Sequence, residues 1–379
     1  MQVNESPWKD RKEPAGEPTR RLTHGALERT GSDGQALRPA QPVRRRARAP
    51  ELWLLAVSAV VAVLPLAVNN VNFHHVLIMF LIFASLGEAW NIITGLAGQT
   101  SFGHAAFFGI GAYAAAVAYF RHGISPWIGM AAGAVIATAV SAVVSYPVFR
   151  LKGHYFAIAT LAVAEIIFQL FVSWSYVEGA TGISIPVAAE GLATFQFHTS
   201  KLPYCYITLA AFVGTVLVFR RVEESRLGYY LRAIKGSEEA AMAMGINPAR
   251  YKLYAMMISA FITSIFGSIY AQYILYIDPF MVFALAISMK IVLLTVLGGL
   301  GSVWGPVLGA AILIPLSEYT RILLGGTGKG IDLIVFGALI VVVACFQPQG
   351  IVGLMRSHGR RRAERGVSGD ARRDATAAA

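Results

Sequence analysis

The residues of this chain that could do chemistry stand where chemistry is costly. Glu88, Glu165, Asp278 and Lys290 fall inside apolar tracts, and Asp332 lies near the edge of another. A charge at the centre of a bilayer costs about 2.5–3.5 kcal/mol on insertion scales, so each must face protein or water. A place on a solute path is one reading and an interhelical hydrogen bond the other; the second suits Asp278, which precedes Pro279. No Ser/His/Asp, Cys/His or paired-carboxylate set stands out, which leaves catalysis without a constellation and the chain without the marks of an enzyme. His104 has no His, Cys or carboxylate at ligand spacing, so no metal site is expected. His74-His75 read as loop residues at a membrane interface. The run Gly325–Gly330 (GGTGKG) is no phosphate loop: Leu323 stands where the first glycine belongs and Gly330 where Ser or Thr does. Cys205 and Cys345 sit in apolar tracts and read as packing residues.

Two stretches combine glycine with polar residues. Between Gly95 and Ala116 the chain reads GLAGQTSFGHAAFFGIGAYAAA. Asn91, Gly98, Gln99, Ser101, Gly103 and His104 at membrane depth would expose backbone to lipid, which is tolerated only where protein or water covers it. A broken or re-entrant segment lining a translocation path follows. The second stretch, Val296–Ala311, places Gly301, Gly305 and Gly309 four residues apart, a flat helical stripe for close packing. Their loose likeness fits an internal duplication as in many transporters, or simply two tight helix interfaces. Ala260, Ser264, Ser268 and Ala271, with Gly267 beside them, form another small-residue stripe and read as packing.

The stretch 220–252, RRVEESRLGYYLRAIKGSEEAAMAMGINPARYK, carries seven Lys/Arg against four Glu and is too charged for lipid. Ser237 followed by Glu238 and Glu239 is a helix start, with a side-chain cap and carboxylates at the positive end of the dipole. Ala240 and Ala241 continue that helix, Gly245 suits a left-handed stop, and Asn247-Pro248 opens the next helix. Because this loop is far in sequence from the Gly95–Gly111 stretch, a fault in it is expected to leave the path geometry intact.

The elements that must hold these residues are membrane helices. Of 379 residues, 56% are hydrophobic and only 14% charged, with mean hydropathy +0.57, whereas soluble domains carry about a quarter charged residues. Spans of about 20 apolar residues fall at 52–70, 76–94, 104–120, 126–149, 155–175, 203–219, 253–276, 283–298, 304–324 and 331–346. The fold class is therefore all-α, a polytopic membrane protein of about ten helices, with eight as the alternative. The net charge is +11: residues 1–50 hold +5, the central loop +3 and residues 356–379 +4, and the rest of the chain holds −1. All three basic segments border apolar tracts, which argues for a positive-inside orientation with both termini cytoplasmic and against nucleic-acid binding. Residues 1–50 lack an apolar signal region and are rich in Arg, Pro, Gly and Glu; a disordered extension is expected, then a transmembrane domain over 51–346 and a basic tail over 347–379.

Three stretches, Gly95–Ala116, Ser225–Ala260 and Val296–Ala310, together resemble the permease subunits of bacterial branched-chain amino-acid ABC importers, the M-type subunit above all. In that family an EAA-x3-G pattern, here Glu239, Ala240, Ala241 and Gly245, lies in a groove of the ATPase. The resemblance implies a bacterial inner-membrane complex with a second permease subunit as heterodimer partner, two ATPase subunits and an external solute-binding protein. ATP and Mg would belong to the partner ATPase, with no cofactor on this chain. Residues 1–50 exceed what the family needs, and Glu178–Pro186 (EGATGISIP) only approximates its TGG-rich version, leaving solute identity open. Urea, short amides or aromatic acids are the alternative cargo; an ion-coupled carrier using Glu88 or Glu165 is the alternative class.

Overall fold

The computed structural model describes residues 61–323, except 69 and 152, together with 337, 351 and 352. The expected span 331–346, the extension 1–50, Asp332, Cys345 and the GGTGKG run lie outside the described residues, as does the basic tail apart from 351 and 352. Residues 61–67 are helical within the expected first span.

The described chain is mostly helical. In order it forms α1 (Val71–Asn91), α2 (His104–His122), α3 (Pro126–Val148), α4 (His154–Ser173), β1 (Ile183–Ser184), α5 (Leu202–Glu224), α6 (Arg226–Gly236), α7 (Glu238–Ala243), α8 (Pro248–Ile274), β2 (Tyr276–Ile277), α9 (Pro279–Val282), α10 (Leu285–Gly298) and α11 (Trp304–Leu323). Six stretches among them are long and apolar enough to cross a membrane: Val71–Leu96, Pro126–Val148, His154–Ser173, Leu202–Glu224, Pro248–Ile274 and Pro279–Gly298. The expected spans at 104–120 and 304–324 also fall on helices, α2 and α11, of 19 and 20 residues.

Apolar side chains all round a helix mean that it must be surrounded. Helix α1 is such a case, buried nearly throughout from Val76 to Asn91, with α5, α8, α10 and α11 against it. Helices α2, α3 and α8 pack on one another. The small-residue stripe on α8 is buried as expected: Ala260, Ser264, Gly267, Ser268 and Ala271 face inward, and Ser268 Oγ donates to the Gly111 carbonyl of α2 at 2.8 Å. Helix α4 is the opposite, burying only Phe156, Thr160 and Ala164.

Helix starts follow local chemistry. Asn70 caps α1 by accepting the Asn72 N–H at 2.9 Å, which places His74 and His75 near the start of α1 rather than in a loop. His74 Nε2 lies 3.0 Å from the Pro65 carbonyl and His75 Nδ1 2.7 Å from the Tyr273 hydroxyl. Asp278 is the N-cap of α9, its Oδ1 accepting the Met281 N–H at 2.8 Å. Between α4 and α5 the chain makes two short turns and β1, which pairs antiparallel with β2 in the register Ile183 to Ile277 and Ser184 to Tyr276. Glu190 closes that connection: the Thr199 N–H and hydroxyl and the His198 N–H all donate to its carboxylate and hold it below the usual carboxylate range.

Candidate functional site

The charged stretch 220–252 is more ordered than a loop with one helix. Helix α5 continues through Arg220 to Glu224. Ser225, with extended backbone, then caps α6, its Oγ accepting the Gly228 N–H at 3.4 Å. Helix α6 was not anticipated. Its signal was present as a Ser cap followed by Leu227, Leu231 and Ile234, one stripe at helical spacing; Leu231 and Ile234 are buried while Tyr229 is exposed. Arg232 returns to the end of α5, Nη2 donating to the Glu223 carbonyl at 2.8 Å.

The second helix is capped as the residues dictate. Ser237 is extended and its Oγ accepts the Ala240 N–H at 3.2 Å; Glu238 and Glu239 fill the first turn of α7. Gly245 has φ +82°, the left-handed value that favours glycine. The Gly245 N–H donates to the Met242 carbonyl at 2.9 Å and the Ile246 N–H to the Ala241 carbonyl at 3.0 Å, the paired bonds of a Schellman stop. Asn247 Oδ1 then accepts the Arg250 N–H at 3.2 Å and Pro248 opens α8. Ala241 is fully buried and seats the helix, whereas Glu239, Ala240, Met242 and Met244 are exposed. Lys252, only 2% exposed, bonds Glu238 Oε2 through its Nζ at 2.9 Å and fastens the start of α7 to α8.

The residues Asn91, Gly98, Gln99, Ser101, Gly103 and His104 stand at a bend. A π-helical turn, Ile92–Leu96, ends α1, and a non-helical connection with Gly98 at φ +73° leads to α2. The break follows a complete apolar span instead of interrupting one. Asn91, Ser101, Gly103 and His104 are buried; Gly98 is exposed and Gln99 half-buried. Trp90 Nε1 donates to the Ser101 carbonyl at 2.7 Å, the Thr94 hydroxyl to the Gln99 carbonyl at 2.8 Å, and the Phe102 N–H to Thr160 Oγ1 of α4 at 3.1 Å. Ser259 Oγ donates its one hydrogen to the Ala89 carbonyl at 2.6 Å. His104 Nε2, 2.8 Å from the same oxygen, is therefore the donor there.

The bend touches the charged stretch directly. Lys235 Nζ of α6 donates to the Gly95 carbonyl at 2.8 Å, so the separation expected from sequence distance does not hold. Folding the chain brings the two together, with the Gly95 carbonyl in the π turn that ends α1.

The second glycine stretch meets the first. Asn91 Nδ2 donates to the Ser302 carbonyl at 3.1 Å, and Asn91 Oδ1 accepts the Gly301 N–H at 2.8 Å. Gly301 is thus not part of a helical stripe: it lies in the connection between α10 and α11 at φ +72°, because the chain must reverse there. Gly305 and Gly309 are on α11 and do pack closely. A methyl on Gly305 would overlap the Gly299 carbonyl, and one on Gly309 the Leu294 carbonyl. The third member of this crossing is Gly298 of α10, where a methyl would meet the Gly305 carbonyl.

The other ionisable residues separate. Glu88 is fully buried in α1. Lys290 Nζ sits 5.1 Å from the centre of the Phe83 ring, a cation–π contact. Glu165 is on the exposed face of α4, where Gln169 Nε2 donates to its Oε1 at 3.0 Å.

Comparison with known proteins gives a consistent result. The pattern of the family described as branched-chain amino acid transport system / permease component matches residues 72–344. The high-affinity branched-chain amino acid transport system permease protein LivM of Salmonella typhimurium is 25% identical over 81% of this chain and 76% of its own length. LivM of Escherichia coli is 27% identical over the same shares. The LivH permease protein of Salmonella typhimurium is 25% identical over 72% of this chain and 91% of its own length.

Proposed function

The chain belongs to the branched-chain amino acid transport system permease family, and from that premise we propose that it is the M-type permease of an ATP-driven importer for leucine, isoleucine, valine or a closely similar amino acid. It works beside a second permease, two ATPase subunits that hold ATP and Mg, and an external binding protein, in the bacterial inner membrane with both termini cytoplasmic. The observation that carries the reading is the helix α7. It is fixed at Ser237 and Gly245, seated by Ala241, and offers Glu239, Ala240, Met242 and Met244 outward.

A short helix held at both ends moves as a unit, so a push on its exposed side reaches what its ends are tied to. Exposed methionines suit a docking face, being flexible and polarizable. The ties lead inward by two routes. One runs from Glu238 to Lys252 and into α8, the other from Ser237 through α6 and Lys235 to the Gly95 carbonyl. We assign Ser237, Glu238, Glu239, Ala240, Ala241 and Gly245 to ATPase coupling. Gly98 and Gln99 border the path, while Asn91, Ser101, Gly103 and His104 support its wall from within.

The test is uptake into vesicles holding the reconstituted complex. ATP-dependent, binding-protein-dependent leucine uptake is expected. Uptake of urea, short amides or aromatic acids in its place would reassign the cargo. Uptake that persists without ATP on an ion gradient would reject the importer class.

A further inference from the structure

We propose that the exposed face of α4 is the wall this permease contributes to a water-lined path closed by its second permease, with Glu165 and Gln169 as its polar station. The inference rests on the permease reading and adds the surface and residues to it.

Helix α4 is apolar and long enough to span, yet it buries only Phe156, Thr160 and Ala164, whereas α1 is buried nearly throughout from Val76 to Asn91. Tyr155, Ile158, Glu165, Ile166, Gln169 and Leu170 are exposed along one stripe, while Phe156, Thr160 and Ala164 form the narrow buried edge. Were the stripe wholly apolar, lipid would cover it. Glu165 rules that out, since it stands about 2 Å along the axis from the midpoint of this 20-residue helix. An ionisable group at that depth faces protein or water, not hydrocarbon. Its hydrogen bond to Gln169 lies along the same exposed face and keeps both groups pointing outward.

The position of the stripe extends the argument. On its buried edge Thr160 receives the Phe102 N–H, which joins α4 to the bend bearing Gly98 and Gln99. At the other end Phe168 packs edge-on against Phe280 of α9, itself exposed. The face therefore runs from the Gly98 bend to the segment that follows β2. Two kinds of permease relative match this chain over most of its length, LivM and LivH, which favours a related but different chain as the opposite wall.

The experiment uses the full complex in vesicles, with Cys205→Ser and Cys345→Ser as background. Glu165→Cys is treated with a charged, water-soluble thiosulfonate, and Leu217→Cys, exposed on an apolar stretch of α5, serves for comparison. Reaction needs the thiolate, which hydrocarbon suppresses, so position 165 should react at least about tenfold faster than 217. Gln169→Cys, one turn away, gives the same readout should the first variant fold poorly. A photo-crosslinker at 165 should capture the second permease. Slow modification at both positions, or capture of lipid or of another copy of this chain, overturns the proposal. If the thiols react and the second permease is captured while leucine uptake is absent, this wall stands and the cargo assignment falls.

Discussion

Lys235 Nζ lies 2.8 Å from the Gly95 carbonyl oxygen, so the charged stretch between α5 and α8 is hydrogen-bonded to the bend between α1 and α2. A charged donor on a backbone oxygen contributes about 1.5–3 kcal/mol when sheltered and, with Lys235 itself exposed, about 1 kcal/mol here. That is too little to decide folding and enough to bias a movement. Lys235→Met is expected to insert normally, to keep ATPase binding, and to lower the solute moved per ATP, with Lys235→Arg recovering part of it. Parallel measurement of uptake and hydrolysis in vesicles checks this; an unchanged ratio in Lys235→Met would show the bond to be incidental.

Gly245→Val forces a β-branched residue to φ +82°, a strain of about 1–2 kcal/mol, and removes the stop that directs the chain into Asn247. The variant is expected to reach the membrane, lose uptake, and either release the ATPase or leave hydrolysis unresponsive to loaded binding protein. Glu239→Lys places a positive charge in the first turn of α7, a penalty of about 0.3–1 kcal/mol, and alters the exposed side, with the same direction of effect. Co-purification and binding-protein-stimulated hydrolysis are the readouts. Normal values in both variants would remove α7 from the coupling route.

Asn91 holds two backbone groups 210 and 211 residues away. Asn91→Ala leaves the Gly301 N–H and the Ser302 carbonyl without that partner, at about 1–3 kcal/mol each, and a fall in the unfolding midpoint of the purified protein is expected. Gly305→Val should go further and block accumulation, since even a methyl there overlaps the Gly299 carbonyl, whereas Gly214→Ala, whose methyl meets nothing, should accumulate normally. Equal accumulation of the two glycine variants would mean that the α10–α11 crossing tolerates separation.

The basic segments predict a sidedness. Met244→Cys, at the exposed end of α7, should react with an impermeant thiol reagent only from the cytoplasmic side. Val187→Cys, exposed between β1 and α5, should react only from outside. Met244 labelled in intact cells would invert the topology and remove α7 from reach of a cytoplasmic ATPase.

The parts that could be read from the sequence are those whose chemistry is local. The Ser237 cap, the Gly245 stop and the Asn247-Pro248 start each involve partners within five residues, and long apolar runs fix helices to within a few residues. What escaped is set by distance or by ambiguity of pattern. Gly301 and Gly305 have the same spacing as Gly305 and Gly309, yet the first sits at φ +72° in a turn, and a period of four cannot tell these apart. Gly298 lies off that period and was missed, although it faces Gly305 most closely. Helix α6 was hidden by its charges and Gly228, although Leu231 and Ile234 marked a buried stripe. The bonds of Lys235 to Gly95 and of Asn91 to Gly301 cannot be inferred from spacing, because only the packed helices bring those residues together.

Helix α8 has a property that belongs to the whole molecule. It begins at Pro248, shortly after the stop of α7, and ends at Ile274, with Leu275 alone between it and β2. Its 27 residues, with proline only at the first position, make a strut about 40 Å long. A helix with no internal proline bends little, so axial travel imposed at Asn247 would carry along it toward Tyr276. There the chain is paired to Ile183 and Ser184, and that two-strand clasp is where such travel would be taken up. Slippage or parting of the clasp would thus report, on one face of the membrane, an event that took place on the other.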